Sequence, residues 1–250
     1  MWWCVGVTQQ RPPRVGNDLP TVRPLKLSII IPVLNEAGRI ADALIALRPL
    51  RERGAEIVVV DGASTDGTAE IAARGADIVI RAPRGRASQQ NAGAQRALGD
   101  TFLFLHSDTQ LPLNADGLIA DALDDPAAQW GRFDVRFDTD QAMLHVVATM
   151  MNARSRLTGI ATGDQCLFVR RSAFEAAGGF PAVDLMEDIA ISKSLRRHSA
   201  PRCLRNKVTT SARRWQKNGA WRTIFLMWWL RLAYAVGVSP ARLARWYGQW

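Results

Sequence analysis

Residues 26–36 of this chain read KLSIIIPVLNE, and residues 56–68 read EIVVVDGASTDGT. Each stretch opens with a β-branched run, which is typical of a strand buried on both faces, and then turns polar. Between them, Asn35 offers a helix cap, and four apolar residues recur at helical spacing: Ile40, Leu44, Leu47 and Leu50. A strand, a helix and a second strand at this spacing predict a right-handed crossover within a parallel sheet.

The same alternation continues to residue 105. We predict a third strand over residues 77–80, a helix over 88–98 and a fourth strand over 101–105. In parallel sheets of this kind, ligands bind beyond the carboxyl ends of the strands. Three polar residues lie just past such ends: Asn35, Asp61 and Asp108. The sequence therefore predicts a ligand site at this edge of the sheet.

The second half of the chain changes character. Apolar Phe133, Val135 and Phe137 alternate with charged residues, a period-two pattern that predicts a half-exposed antiparallel strand. After it we predict a helix over 141–153, a strand over 166–169, a turn at 178–181 and a helix over 189–197. Glu187 and Asp188 open that last helix, where carboxylates suit the positive end of the helix dipole.

Charge is distributed unevenly along the chain. The net charge is +9, yet residues 189–250 hold thirteen Lys or Arg residues and no Asp or Glu, so the body of the chain is mildly acidic. Six of the nine tryptophans lie in the last 36 residues, interleaved with arginine. The apolar run over 224–230 ends at Arg231 and is too short to span a bilayer.

This composition favours a helix lying on an anionic membrane surface. The alternative is a helix packed on the domain with its arginines facing water. No nucleic-acid recognition fold accompanies the basic tail, so we expect no nucleic-acid partner. The dispersed Cys4, Cys166 and Cys203 fit a reducing compartment, and no early stretch resembles a secretory signal. We predict a cytoplasmic protein, peripheral on the inner face of the plasma membrane.

Four motifs, in order, resemble those of family 2 glycosyltransferases. They are the two opening stretches, followed by His106-Ser107-Asp108 and Met186-Glu187-Asp188. Residues 162–165 (TGDQ), 211–215 (SARRW) and 221–223 (WRT) further resemble a bacterial subgroup, the radical-SAM/selenodomain-associated transferases. The resemblance implies an inverting, metal-dependent enzyme that moves a sugar from a nucleotide diphosphate to an acceptor.

The resemblance also implies an α/β fold, a single glycosyltransferase-A-type domain with a mostly parallel sheet flanked by helices. We assign residues 25–212 to it, with a nucleotide-binding half over 25–110 and an acceptor half over 111–212. Residues 1–24, with several prolines and no apolar periodicity, are predicted to be a mobile leader. Residues 213–250 form the basic, Trp-rich helical segment.

The resemblance assigns the donor nucleotide to six residues: Pro32, Asn35, Glu36, Asp61, Arg86 and Asn91. Carboxylates such as Asp61 and Glu36 suit base N–H groups and ribose hydroxyls. For Ser64 and Asp66, helix capping is an equally good interpretation. Arg84 is either a phosphate contact or part of a solvated basic loop.

Asp108 is the candidate ligand for Mg²⁺ or Mn²⁺, which would offset charge on the departing diphosphate. The family pattern is Asp-x-Asp, and this chain has His106 at the first position. His106 could contact ribose, bind the metal or pack at the strand end, and we take packing as the default.

Inversion requires one carboxylate to remove the acceptor's proton. The resemblance gives this role to Asp188, with Glu187 beside it, and repulsion between them should raise the pKa of one. The alternative is that the pair only complements the helix dipole. Asp164 and Gln165 are candidates for contacting the acceptor or positioning its loop.

Three other functions compete with this interpretation. A nucleotidyltransferase would carry a basic Gly-rich loop after the first strand, and a dinucleotide oxidoreductase would carry Gly-x-Gly-x-x-Gly after a strand; neither occurs here. His106 leaves open a catalytically silent, membrane-associated nucleotide-sugar-binding protein. A tail at the membrane would favour a lipid-linked acceptor.

Overall fold

A computed structural model describes residues 25–248 of the chain. The strands are β1 (Leu27–Val33), β2 (Glu56–Asp61), β3 (Ile78–Arg81), β4 (Thr101–Phe104), β5 (Thr109–Gln110), β6 (Trp130–Phe137), β7 (Phe168–Arg170) and β8 (Arg202–Thr210). The helices are α1 (Ile40–Glu52), α2 (Thr68–Ala72), α3 (Arg86–Arg96), α4 (Ala115–Ala122), α5 (Ala142–Thr158), α6 (Arg171–Ala176), α7 (Glu187–Leu195), α8 (Arg213–Asn218), α9 (Ala220–Ala235) and α10 (Pro240–Gly248). The predicted leader, residues 1–24, lies outside the described residues.

The strands form one sheet in the order β3-β2-β1-β4-β7-β6-β8-β5. Strands β1 to β4 pair in parallel, as predicted, and Val33 at the end of β1 aligns with Asp61 at the end of β2. Apolar clusters cover both faces, which explains the unbroken β-branched runs. The predicted α/β fold with a mostly parallel sheet is confirmed.

Helix α3 lies very close to this sheet. A Cβ added at Gly93 would stand 2.4 Å from Cγ2 of Ile30 and 2.9 Å from Cγ2 of Val60. Gln89, on the same helix, donates from Nε2 to the carbonyls of Val33 and Val60, at 2.8 Å each. The helix is therefore fixed over the carboxyl ends of β1 and β2, where the ligand site is predicted.

The prediction of a half-exposed antiparallel strand at 133–137 was wrong. Strand β6 pairs antiparallel with β7 but parallel with β8, and it is buried on both faces up to residue 135. Arg132 is fully buried and Asp134 nearly so, because the two are ion-paired beneath α5. Arg156 of α5 binds the same carboxylate at 2.6 Å, so each buried charge has a partner.

The sheet continues across residue 110 through the pairing of β4 with β7. The division into a nucleotide-binding and an acceptor half therefore stays a prediction. Beyond the sheet, α9 and α10 pack on the chain around Ile160, Met186 and Ile189. Over the residues that the structure describes, each helix is too short or too polar to cross a membrane.

Candidate active site

The loops that follow β1 and β2 are joined by hydrogen bonds. The backbone N–H of Asn35 donates to Oγ of Ser64 at 2.9 Å, and the N–H of Thr65 donates to Oδ1 of Asn35 at 3.0 Å. Asn35 has φ of 52°, a conformation that asparagine tolerates, and α1 begins five residues later, at Ile40. The predicted helix cap at Asn35 was therefore wrong, because its side chain is bonded to the neighbouring loop.

The carboxylate of Asp66 also joins the two loops. Asp66 accepts hydrogen bonds from the N–H of Ala37 at 3.0 Å and from the N–H of Thr68, at the start of α2, at 3.1 Å. The hydroxyl of Thr68 also donates to this carboxylate. That bond contributes most to lowering the pKa of Asp66, and the two N–H bonds lower it further. The N-cap position of α2 is Gly67, so Asp66 ties the first residue of α2 to the loop after β1, and Ser64 contacts Asn35 of that loop.

Four of the predicted donor-binding residues lie at these strand ends. Asp61 is fully buried, and its carboxylate accepts the N–H of Ser64 at 3.1 Å. Pro32 is half-buried in β1 beside Val60. The Glu36 carboxylate is held by Arg39 at 3.0 Å. With Asn35, these residues lie close together at the carboxyl ends of β1 and β2.

Helix α3 contributes the other two. Arg86 is its first residue, and Nη1 lies 3.9 Å from Oε1 of Glu187, which joins the first half of the chain to the acid pair. Asn91 donates to the carbonyl of Phe180 at 2.8 Å and accepts the N–H of Phe180 at 2.9 Å. Its amide therefore fastens the turn that precedes the acid pair, which is a positioning role.

The acid pair opens α7, as predicted. Asp188 is half-exposed; its Oδ2 accepts the N–H of Gly163 at 3.1 Å and its Oδ1 the N–H of Ile189 at 2.7 Å. Glu187 is only 6% exposed, and burial, followed by the charge of Asp188, raises its pKa, with Arg86 opposing the shift. The two carboxylates thus have different environments, one buried and one facing the cleft.

The segment 162–166 presses against the end of β4. The imidazole Nδ1 of His106 lies 3.4 Å from Oδ1 of Asp164, and a Cβ added at Gly163 would stand 2.6 Å from Cε1 of that ring. His106 is therefore packed under the loop and faces a carboxylate. Gln165 is fully buried and donates to Oδ1 of Asn152 at 3.2 Å, so it holds the loop and presents Asp164.

Asp108 follows β4 and is half-buried. Burial raises the pKa of the Cys166 thiol, and the charges of Asp164 and Asp108 raise it further. Within residues 25–248 there is no group of three His, Cys, Asp or Glu side chains able to enclose a metal ion. Asp108 fits Mg²⁺ or Mn²⁺ because these ions accept a single carboxylate completed by phosphate oxygens and water.

A small pocket lies beside the acid pair. It is lined by Gln90, Thr162 and Gly163 together with Glu187 and Asp188. The side-chain Oε1 of Gln90 is buried and has no hydrogen-bond partner, so an acceptor is available beside the acid pair. No sequence pattern marks Gln90 as functional, because a glutamine within a helix is ordinary.

A larger groove lies elsewhere. It runs along the amino ends of β1 and β2, between residues such as Lys26, Arg48 and Glu56. Since ligands of parallel sheets bind at the carboxyl ends, and the acid pair lies there, we place the site at the smaller pocket.

A sequence profile described as Glycosyl transferase family 2 matches residues 28–178. The chain belongs to glycosyl transferase family 2. The match spans both opening stretches, Asp108 and the loop that carries Asp164. The predicted family is thereby confirmed, whereas the resemblance to the radical-SAM-associated subgroup stays a prediction. No curated protein matches the chain.

Solved structures share the fold of this family 2 chain. A TarS fragment from S. aureus, residues 1–349, in complex with UDP-GlcNAc, is 18% identical with a TM-score of 0.60, over 75% of this chain and 58% of that one. The mannosyltransferase PcManGT from Pyrobaculum calidifontis, in complex with GDP-Man and Mn²⁺, is 24% identical with a TM-score of 0.59, over 84% and 61%. At these identities the likeness shows the fold, and the chain spans about three fifths of each structure.

Proposed function

We propose that this chain is an inverting, metal-dependent glycosyltransferase that takes a sugar from a nucleotide-diphosphate donor. The observation that carries the proposal is the meeting of Arg86 with Glu187 and of Gly163 with Asp188, at the carboxyl edge of the parallel strands. Gly163, Glu187 and Asp188 thereby line one small pocket with Phe104 at the end of β4, and Arg86 contacts Glu187 of that lining. Membership of family 2 and the likeness to donor-bound glycosyltransferases support the same activity.

The carboxylate of Asp188 acts as the general base. As the acceptor hydroxyl attacks the anomeric carbon opposite the departing diphosphate, Asp188 takes its proton, and the N–H of Gly163 keeps the carboxylate oriented. Glu187 is buried and faces Arg86, so an acceptor hydroxyl reaches it less easily than Asp188. This division of roles follows from exposure, because only Asp188 reaches solvent to a useful extent.

The donor lies across the strand ends. Asp61, Glu36, Asn35 and Pro32 form the wall for the base and ribose, and Arg86 offsets negative charge on the diphosphate. Asp108 would hold Mg²⁺ or Mn²⁺, and the bound ion would supply electrostatic stabilisation of the leaving nucleoside diphosphate. Asp164, presented by Gln165, faces the sugar or the acceptor.

A two-part experiment on the full chain tests this function. Thermal unfolding with UDP or GDP and Mn²⁺ should show a higher melting temperature, since a ligand that binds only the folded form stabilises it. Turnover of UDP- and GDP-sugars should then fall by about 10²–10⁴ in Asp188→Asn. The matched control is Asp184→Asn, an exposed carboxylate four residues away, which should keep wild-type activity.

The outcomes separate the alternatives. Wild-type activity in Asp188→Asn would remove Asp188 as the base. Binding of nucleotides by the wild type without turnover of any donor would instead support the catalytically silent binding protein that His106 left open. Absence of nucleotide binding would refute the donor site itself.

We further propose that α9 attaches the protein to an anionic bilayer. Its buried face packs inward through Leu226, Leu230 and Ala233. Its opposite face exposes large apolar side chains at one helical stripe: Trp221, Phe225, Trp228, Trp229, Leu232 and Val236. This exposed aromatic surface lies within residues 189–250, which carry Lys and Arg but no Asp or Glu. Such a combination suits binding to the headgroup region of a bilayer that contains anionic lipid. A lipid-linked acceptor and a place on the inner face of the plasma membrane follow from it.

Flotation with vesicles tests the attachment. The wild type should float with phosphatidylglycerol vesicles and less with neutral phosphatidylcholine, and high salt should weaken binding. The double change Trp228→Ala and Trp229→Ala should abolish flotation. The control pair Ile45→Ala and Leu98→Ala removes apolar side chains that are equally exposed elsewhere, and it should float normally. Equal flotation of both variants would refute the proposal.

A further inference from the structure

A buried apolar cluster joins helix α9 to the two segments that hold Asp188. The buried members of this α9 cluster are Ile160, Met186, Ile189, Leu226, Leu230, Ala233 and Leu243. Ile160 lies just before the loop that carries Gly163, whereas Met186 and Ile189 flank the acid pair. The Nζ of Lys193, further along α7, stands 5.1 Å from the ring centre of Tyr234, so α9 also contacts α7 beyond the cluster. Helix α9 therefore packs on both segments at once.

Two hydrogen bonds tie those segments to each other. The N–H of Gly163 donates to Oδ2 of Asp188 at 3.1 Å, and the N–H of Ala161 donates to Oγ of Ser192 at 3.1 Å. The hydroxyl of Ser192 in turn donates to the carbonyl of Asp188 at 2.7 Å. The orientation of the Asp188 carboxylate thus depends on how closely residues 160–163 lie against α7.

The residue before the acid pair has an unusual backbone conformation. Met186 is the N-cap residue of α7, with φ of 70° and ψ of 22°, in the left-handed region that residues with a side chain seldom adopt. Its carbonyl accepts the N–H of Ala190 at 3.0 Å in the first turn of α7. The backbone at Met186 therefore sets the direction in which Glu187 and Asp188 leave the preceding turn.

Packing against α9 is what holds Met186 in this conformation. A strained backbone persists only where the surrounding structure fixes it. The side chain of Met186 is 8% exposed and that of Leu230 is fully buried, both within the α9 cluster. If α9 were loosened, Met186 could return to an ordinary backbone conformation, and the start of α7 would turn with it.

We propose that Met186 and Leu230 are positioning residues for the base: the packing of Leu230 keeps the left-handed backbone of Met186 in place and thereby orients Asp188 toward the acceptor hydroxyl. This inference rests on the proposed function. Both side chains act through Asp188, since other residues line the pocket beside the acid pair. Helix α9 is then part of the catalytic apparatus as well as a surface helix.

The test measures steady-state turnover by the full chain with Mn²⁺ and whichever UDP- or GDP-sugar the wild type uses best. Met186→Ala and Leu230→Ala should each lower kcat by about tenfold to 10²-fold, because misplacing a catalytic group by ~1 Å can cost about 10²-fold in rate. The dissociation constant for the nucleoside diphosphate should not change, since the donor wall lies at the ends of β1 and β2. Rates are compared well below the melting temperature of every variant, so that unfolding does not contribute.

Further variants separate positioning from a general loss of stability. Leu47→Ala removes a similarly buried leucine from the core face of α1; it should lower the melting temperature comparably and leave kcat unchanged. Met186→Leu and Leu230→Met conserve apolar volume and should keep most of the wild-type kcat. The double variant Met186→Ala with Leu230→Ala should be little slower than either single variant, because both changes break the same contact.

A milder change covers the case in which Leu230→Ala does not fold. Leu230→Val removes a single methylene from the same contact. It should lower kcat in the same direction by a smaller factor, again with unchanged affinity for the nucleoside diphosphate.

Three results would overturn the inference and leave the glycosyltransferase proposal standing. The first is a wild-type kcat in the variants of Met186 and Leu230, and the second is an equal loss of kcat in Leu47→Ala. The third is a double variant in which the two single losses multiply, which would show that the two side chains act independently. Failure of the wild type to turn over any donor would instead refute the proposed function, and this inference with it.

Discussion

Gly163 offers the sharpest test of the site, because it touches both His106 and Asp188. Its N–H donates to the Asp188 carboxylate at 3.1 Å, and its α-carbon faces the imidazole so closely that an added Cβ would lie 2.6 Å from Cε1 and 2.7 Å from Nε2. Its φ is outside the left-handed region, so the backbone itself would accept alanine. Any effect of Gly163→Ala therefore comes from the collision with His106.

The size of the effect can be worked out from these distances. Ordinary contact between carbon atoms begins near 3.5 Å, so the loop or the ring must move by about 1 Å. A shift of that size stretches the 3.1 Å bond to Asp188 beyond hydrogen-bonding range and misdirects the base. Misplacement by ~1 Å in an active site can cost about 10²-fold in rate. We expect kcat to fall by roughly that factor, with the dissociation constant for the nucleoside diphosphate unchanged.

The assay is steady-state transfer or donor hydrolysis, with nucleotide affinity measured in parallel. Gly117→Ala is the matched control, since a Cβ there meets nothing within 4 Å inside helix α4. It should keep full activity and gain up to about 1 kcal/mol of stability from helix propensity. If Gly163→Ala turned over donor at the wild-type rate, the bond from Gly163 would have no part in orienting the base.

Three further expectations concern neighbouring positions. The buried Glu187 has a pKa raised above its ordinary value of 4.5, so the folded state keeps the proton to a higher pH than the unfolded state does. The free energy of unfolding should therefore fall as the pH rises above 4.5 toward the pKa of the folded state. Glu187→Gln should flatten this part of the stability curve, measured by urea unfolding from pH 4.5 upward, and an unchanged curve would contradict the expectation. The unpaired Oε1 of Gln90 is expected to accept a hydrogen bond from a hydroxyl of the donor sugar. Gln90→Leu removes this acceptor and should raise KM for the sugar donor by about five- to tenfold, while the affinity for the free nucleoside diphosphate stays the same. Equal KM values would exclude that contact. Gly93→Ala should lower the free energy of unfolding, because the added methyl group would overpack α3 against the sheet at a cost of about 1–3 kcal/mol. This cost exceeds the gain of up to about 1 kcal/mol from the higher helix propensity of alanine. A variant more stable to urea than the wild type would show that α3 can move away from the sheet.

Much of the fold follows from local sequence. The β-branched runs at 29–31 and 57–60, with helical spacing between them, predict the parallel strands β1 and β2 to within a few residues. The polar residues that follow those runs, Asn35 and Asp61, are placed at one edge simply because strands of a parallel sheet end on the same side. Such inferences succeed because period, turn chemistry and crossover handedness are properties of short segments.

Tertiary structure decided what depends on distant partners. Strand β6 was misread because Arg132 and Asp134 are neutralised within an ion-pair network beneath α5, which no local pattern reveals. The side-chain amide of Asn91 donates a hydrogen bond to the carbonyl of Phe180, almost ninety residues later, and so holds the turn before the acid pair in place.

The packing of Leu230 of α9 against Met186 and Ile189, beside the acid pair, likewise exists only in the assembled fold. Sequence patterns report how a segment prefers to fold, whereas the charge, burial and hydrogen bonding of a side chain depend on which segments meet it in space. For this chain, the parallel strands β1 to β4 and their shared edge were predictable from the sequence, and the environment of each charged group required the assembled fold.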